Sequence, residues 1–192
     1  MENKNASATI ITGRRTRLSY ANLFEPKGFD GAKPMYSVSL IIPKDDHRTL
    51  EKINAAIKAA YESGAMKLRG NSRTTPALED IHLPLNDGDV KRKGDPAYAN
   101  AYYINAKNRV QPTLFDVDGT QCMEDRSVLY SGCYARCKIQ FYVYNKGMNK
   151  GIACALLGVH KDMDGEPLGG SVTTSEDFRT DEEYGDGADF LK

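Results

Sequence analysis

The sequence predicts a mainly β fold: one domain of strands and turns, one main helix, and a charged tail set apart from both. Three observations carry this. Residues Cys133 to Tyr144 alternate apolar and polar side chains without a break, the period of a half-buried strand. Only one stretch, from Asp45 or Asp46 to about Glu62, repeats its apolar residues at helical spacing. The last seventeen residues hold seven acidic side chains against two basic ones, a composition that solvates rather than packs.

At 192 residues, with 40% hydrophobic and 27% charged side chains, the chain can bury one good core but not two full domains. A division into residues 1–175 and a disordered tail, 176–192, follows. No apolar run approaches the ~20 residues of a bilayer span. Met1-Glu2-Asn3-Lys4-Asn5 lacks the apolar stretch of a signal peptide, so a cytoplasmic location with no membrane partner is expected.

Taken in order, Thr9–Thr12 and Arg15–Tyr20 read as a first strand interrupted at Gly13. Met35–Ile42 reads as a second, with Tyr36, Val38, Leu40 and Ile42 on one face and Ser37, Ser39 and Ile41 on the other. Pro43 stops it. Asp45 or Asp46 then caps the helix, whose stripe is Leu50, Ile53, Ala56, Ile57 and Ala60, and Gly64 ends it. Met66 to Asp95 reads as long basic loops. Strands are expected at Tyr98–Arg109, Pro112–Val117, Val128–Tyr144 and Gly151–His160. Asp-Gly pairs at Asp30, Asp87, Asp118 and Asp164 punctuate the spaces between elements.

The formal net charge is zero, but the charge is segregated. Removing the tail's two basic and seven acidic residues from the chain's 26 and 26 leaves 24 against 19, so residues 1–175 carry +5 and the tail −5. A basic body with an acidic tail suits a polyanion-binding domain that carries a mimic of its ligand.

On the alternating segment, Cys133, Ala135, Cys137, Ile139, Phe141 and Val143 suit a core. Tyr134, Arg136, Lys138, Gln140, Tyr142 and Tyr144 face the other way. Flat rings interleaved with cations match a single-stranded nucleic acid, since a ring stacks on a base while a neighbouring cation holds its phosphate. Tyr103, Asn105, Lys107 and Arg109 repeat the pattern, and Arg14, Arg15 and Arg17 cluster on the first strand. Lys91, Arg92 and Lys93 add a basic run. The plainer alternative, tyrosines packed under a loop and cations that only solubilise, stays open.

No catalytic constellation emerges. His47, His82 and His160 form no HxxxH pair, and neither GxSxG nor a phosphate loop is present. Neither an enzyme activity nor a cofactor is expected. Cys122, Cys133, Cys137 and Cys154 lack zinc-site spacing and read as buried free thiols. Asp116–Gly119 and Asp162–Glu166 lack the ligand register of a calcium loop and read as hairpin turns, so no metal is expected.

The segments Arg17-Leu18-Ser19-Tyr20-Ala21-Asn22-Leu23-Phe24, Tyr36 to Lys44, and Tyr103-Ile104-Asn105-Ala106-Lys107 resemble the bacteriophage single-stranded DNA-binding proteins, and the likeness covers most of residues 9–170. The resemblance implies an OB-fold-like Greek-key barrel, with the helix as an elaboration between the second and third strands. Binding of single-stranded DNA without strong sequence preference is implied, together with a role in phage DNA replication or recombination in the host cytoplasm. Tyr134, Tyr142, Tyr144 and Tyr103 would offer stacking surfaces in a positive groove, and Met66–Asp95 would be a basic flap that DNA orders. The tail is similar to those that recruit replication enzymes. Asp181, Glu182, Glu183, Asp186, Asp189 and Phe190 are its expected contacts, although Leu191 and Lys192 follow the phenylalanine. Without DNA, the tail would occupy part of the groove. An RNA-binding module and a non-enzymatic phage interaction protein remain the alternatives, with a metal nuclease behind both.

Overall fold

A computed structural model describes residues 7–28 and 33–169. Its organising element is the alternating segment. As β7 (Tyr134–Lys146) it buries Ala135, Cys137, Ile139, Phe141 and Val143 and turns the intervening side chains outward. A tight turn at Gly147 returns the chain as β8 (Asn149–Met163), paired antiparallel with β7 along its whole length.

The other pairings close a ring. β2 (Arg17–Lys27) pairs β3 (Met35–Pro43), β3 pairs β5 (Ala101–Asn108), and β5 meets β8 in parallel where Ala106 faces Cys154. β7 returns to β2 where Tyr134 faces Arg17. Five strands in the order β2-β3-β5-β8-β7 thus form a closed Greek-key barrel, the OB architecture. β1 (Thr9–Ile11) extends the β7 edge, β6 (Thr113–Phe115) lies parallel to β8, and the short β4 (Leu85–Asp87) pairs β5.

The interrupted first strand is real. β1 and β2 run successively along one edge of β7, with Thr12 donating to the Cys137 carbonyl and Ala135 to the Thr16 carbonyl on either side of the break. Gly13 sits in the break because a Cβ there would lie 2.4 Å from Thr49 Oγ1. Its neighbour is the start of α1 (His47–Ser63), which Asp46 caps by accepting from the Thr49 amide at 3.2 Å. The stripe expected from the sequence is the one buried, against β7 and β1. Gly64 ends the helix, and a Cβ at that position would lie 2.3 Å from Val143 Cγ2.

Several boundaries move. Met66–Asp95 is not all loop: it holds most of α2 (Ala65–Arg69), then β4 and α3 (Gly88–Lys91), between 3-10 turns at Leu78–Asp80 and Pro96–Tyr98. The part of the flap around α3 is tied to the barrel. Lys44 Nζ reaches Asp87 and Asp89 at 2.8 Å each, and Asp89 accepts from the Asn100 amide. Val128–Cys133 is a turn rather than strand, since Asp125 accepts from both the amide and hydroxyl of Ser127 and Gly132 takes φ +120°. Asp116–Gly119 is a turn, but Asp162–Glu166 is no hairpin: it finishes β8 and continues as a strap. Of the Asp-Gly pairs, Asp118 marks a turn, Asp87 caps α3 and Asp164 lies in the strap, whereas Asp30 lies outside the described residues.

The cysteines are free thiols. Cys133, Cys137 and Cys154 are buried and Cys122 half-buried. Burial pushes the Cys154 thiol up to about 12 and raises Cys137 further.

Candidate nucleic-acid interface

The outer faces of β3 and β5 carry Ser37, Ser39, Asn105 and Lys107, and two concavities open along them. One runs from Tyr20, Lys27 and Lys33 past Arg92. The other runs past Asn86 to Tyr142, Tyr144 and Lys146 at the β7–β8 hairpin. Both are lined by Asn105 and Lys107, so they form one groove across the barrel. In an OB barrel this face, between the β2–β3 and β7–β8 loops, is where oligonucleotides bind.

At one end of the groove, β2 breaks register with β3 between Ser19 and Asn22. The irregularity puts Tyr20 at φ +48° and leaves it 57% exposed. Bulges re-aim side chains in this way, and a non-glycine residue in the left-handed region carries a local energy cost. The Arg92 guanidinium lies over that ring at 5.3 Å and over Tyr98 and Tyr103 at 5.3 and 5.7 Å. At the other end, Tyr142 is 41% exposed, and half-buried Tyr144 donates its hydroxyl to Asn149 Oδ1 at 3.3 Å.

Tyr103 departs from the expectation of an open stacking face: only 7% of it is exposed. α3 and the turn after it fold over this end of β3 and β5, so Ile41, Tyr98, Ala101 and Tyr103 form a small cluster outside the barrel. Tyr98 meets Tyr103 edge-on with centroids 5.2 Å apart and donates to Ser39 Oγ at 3.1 Å. Tyr103 therefore floors the groove's end instead of lining it.

Tyr134 and Arg17 belong elsewhere. Arg17 donates to the Gly132 carbonyl at 3.0 Å and the Glu166 carbonyl at 2.7 Å, with its guanidinium over the Tyr134 ring. The pair clasps the strap after β8, which Leu168 extends by donating to the Ser131 carbonyl and packing on the Tyr98–Tyr103 cluster.

Arg136 and Lys138 line a third concavity on the β1-β7-β8-β6 face, which shares no lining residue with the groove. Arg136 Nε donates to both Asp162 oxygens at 3.0 Å, Arg14 approaches Asp162 at 3.9 Å, and Arg15 pairs with Asp45. Lys91 and Lys93 are exposed beside Arg92, and Arg109 is exposed beyond β5. The structure thus brings together Arg92, Lys107, Tyr142 and Tyr144, with Lys91, Lys93 and Arg109 on the flanks. It separates Arg14, Arg15, Arg17, Tyr134, Arg136 and Lys138 from them. Sequence reasoning missed Tyr20, Lys27, Lys33 and Lys146 as groove residues; the family-like segment Arg17 to Phe24 contained the signal for Tyr20. Asp181, Glu182, Glu183, Asp186, Asp189 and Phe190 lie outside the described residues.

Barrel and groove together define an OB-type fold with a basic, aromatic-edged channel. The chain belongs to the family described as "Enterobacter phage Enc34, ssDNA-binding protein", which it matches over residues 8–190. It is similar to "Putative protein p50" of Acyrthosiphon pisum secondary endosymbiont phage 1, at 30% identity over 169 residues, 84% of this chain and 88% of that protein. Among solved structures it is similar to the single-stranded DNA-binding protein of bacteriophage Enc34 in complex with ssDNA. There the TM-score is 0.71 with 27% identity, covering 84% of this chain and 90% of that one. The C-terminal truncation of the Enc34 protein gives 0.70 and 26% over 84% and 88%. The gp2.5 single-stranded DNA-binding protein of bacteriophage T7 shares the fold alone, with TM-score 0.56 and 18% identity over 94% of this chain and 98% of that one.

Proposed function

We propose that this chain binds single-stranded DNA without strong sequence preference, as a non-enzymatic protein of phage replication or recombination acting in the host cytoplasm. One observation carries the reading: the two concavities merge at Asn105 and Lys107 into one groove with exposed tyrosines, Tyr20 and Tyr142, at opposite ends. Lys27, Lys33, Arg92, Lys107 and Lys146 supply charge for the phosphates, and the rings supply stacking that tolerates any base. The Enc34 relative solved with ssDNA supports the same ligand.

The tail, 176–192, is proposed as a separate acidic element that recruits replication or recombination enzymes through Asp181, Glu182, Glu183, Asp186, Asp189 and Phe190. The strap delivers the chain to Gly169 beside the Tyr98–Tyr103 end of the groove. From there the tail's carboxylates compete with DNA until DNA displaces them.

Fluorescence anisotropy of labelled oligo-dT, with duplex competitor and varied salt, tests the binding. Saturable binding that duplex does not displace and that salt weakens is expected. No binding at low salt would sink the proposal. Deleting 176–192 should tighten binding most at low salt, and an unchanged Kd would remove the competition alone.

A further inference from the structure

The concavity on the β1-β7-β8-β6 face is not absorbed by the DNA reading. Its floor is apolar: Ile11, 52% exposed, with Phe115 and Leu157. His160 stacks beside Phe115, with centroids 6.2 Å apart and an interplanar angle of 29°, and is fixed by donating its Nδ1 hydrogen to the Lys161 carbonyl at 2.7 Å. Its rim is basic. Lys138 is exposed with no ion pair among the described residues, and Arg14 is 78% exposed at the long distance noted above. Arg136, Arg14 and Lys138 stand against Asp162 and against Asp118, whose carboxylate lies near His160, which leaves the rim net positive at about +1.

An apolar floor under a basic rim selects a ligand that is acidic along its length and hydrophobic at one point. The chain contains such a segment. Asp181-Glu182-Glu183-Tyr184-Gly185-Asp186-Gly187-Ala188-Asp189-Phe190-Leu191 joins five carboxylates to an adjacent aromatic and aliphatic pair. Its charge complements the rim, and Phe190 with Leu191 matches the floor.

We propose that this concavity is a docking site for the acidic, Phe190-tipped segment of a second copy of the chain. The proposal rests on the DNA reading in one respect: DNA displaces each tail from its own groove and so frees it for a neighbour. Because groove and concavity share no lining residue, a copy with DNA in its groove still presents this face. The 23 residues after Gly169 extend to roughly 80 Å at most, enough to cross a barrel of this size to a copy bound alongside. Adjacent copies on one strand would then be linked tail to barrel, and filling of the strand would be cooperative.

The test titrates a fluorescent peptide of residues 181–191 with the full chain and follows anisotropy. Saturable binding is expected, weakened at least about tenfold by Lys138→Glu or by Phe190→Ala in the peptide. Ile11→Glu, a change at an already exposed position, should act like Lys138→Glu. The groove variant Lys107→Glu should stay within about twofold of the parent, because the chain's own tethered tail already excludes the peptide from the groove. Absence of saturable binding, or equal losses in Lys107→Glu and Lys138→Glu, would overturn the docking site. Oligo-dT binding by the same proteins reports the DNA reading independently, since failure there leaves the peptide result intact. On a dT strand long enough for several copies, Phe190→Ala in the full chain should broaden the filling transition, and unchanged width would overturn the link between copies.

Discussion

The Arg92 guanidinium sits 5.3 Å from the centroid of Tyr20 and 5.3 Å from that of Tyr98, so one cation ties an exposed ring to a buried one. Tyr20 is 57% exposed and Tyr98 is 1% exposed. The flap that carries Arg92 is itself held to the barrel through Lys44, Asp87 and Asp89. The ring proposed to stack on DNA is thus held between barrel and flap by contacts within the fold, which limits the ordering cost of the proposed binding.

Tyr20→Ala should weaken oligo-dT binding by about 1 to 3 kcal/mol, the worth of a stacked base. Tyr20→Gly should weaken it equally while unfolding at higher temperature than Tyr20→Ala, because glycine removes the cost of φ +48°, about 1 kcal/mol. Anisotropy and thermal melts on both variants check this. A glycine variant with parental affinity would show that the ring does not stack.

Lys107→Gln should lower the slope of log K against log salt by about 0.7, the value for one phosphate contact on a single strand. Arg136→Gln should leave the slope unchanged, since Asp162 already engages that guanidinium on a face away from the groove. Salt titrations of the two variants separate the groups. Equal slope changes would mean that DNA runs over both faces.

Arg17→Ala should destabilise the fold by about 1.5 to 3 kcal/mol, the range for hydrogen bonds to a charged group, because Gly132 and Glu166 lose their donor. Urea unfolding measures it. Oligo-dT affinity under folding conditions should stay within about twofold, and a larger loss would return Arg17 to the groove.

The alternation of β7 and the stripe of α1 were legible because each follows from a fixed period read against one buried side. The charge split was legible for the same kind of reason, since it is a sum. What periodicity cannot show is a second cover on the outer face. Ile41, Tyr103 and Tyr134 occupy outward positions, yet the α3 flap closes over the first two, and the clasp formed by Arg17 and the strap covers Tyr134. Those covers come from segments distant in sequence. Tyr20 was hidden for the opposite reason: a register break re-aims it, and strict alternation assumes none.

Acid should unfold the protein through its paired carboxylates. A hydrogen bond from Lys161, and then one from the Tyr130 hydroxyl, hold Asp164 below the usual carboxylate range; Lys44 and the Asn100 amide do the same for Asp89. A carboxyl whose folded pKa lies below its unfolded value of about 3.9 contributes stability above that value and loses it as pH falls through the folded pKa. Stability should therefore hold level from neutral pH to about 5 and fall below about 4. The lysines set the other limb. Burial weighs against the Lys161 charge but Asp164 outweighs it, and Asp87 with Asp89 raises Lys44, so both pKa values are raised. Their contribution is complete below about 10.4 and is lost as pH rises through the folded values. Asp164→Asn should lower stability at pH 7 and flatten the acid limb, measured by urea unfolding at pH 7 and pH 3. Parallel acid limbs in parent and variant would show that solvent screens this exposed carboxylate, and the acid sensitivity would then belong to other pairs.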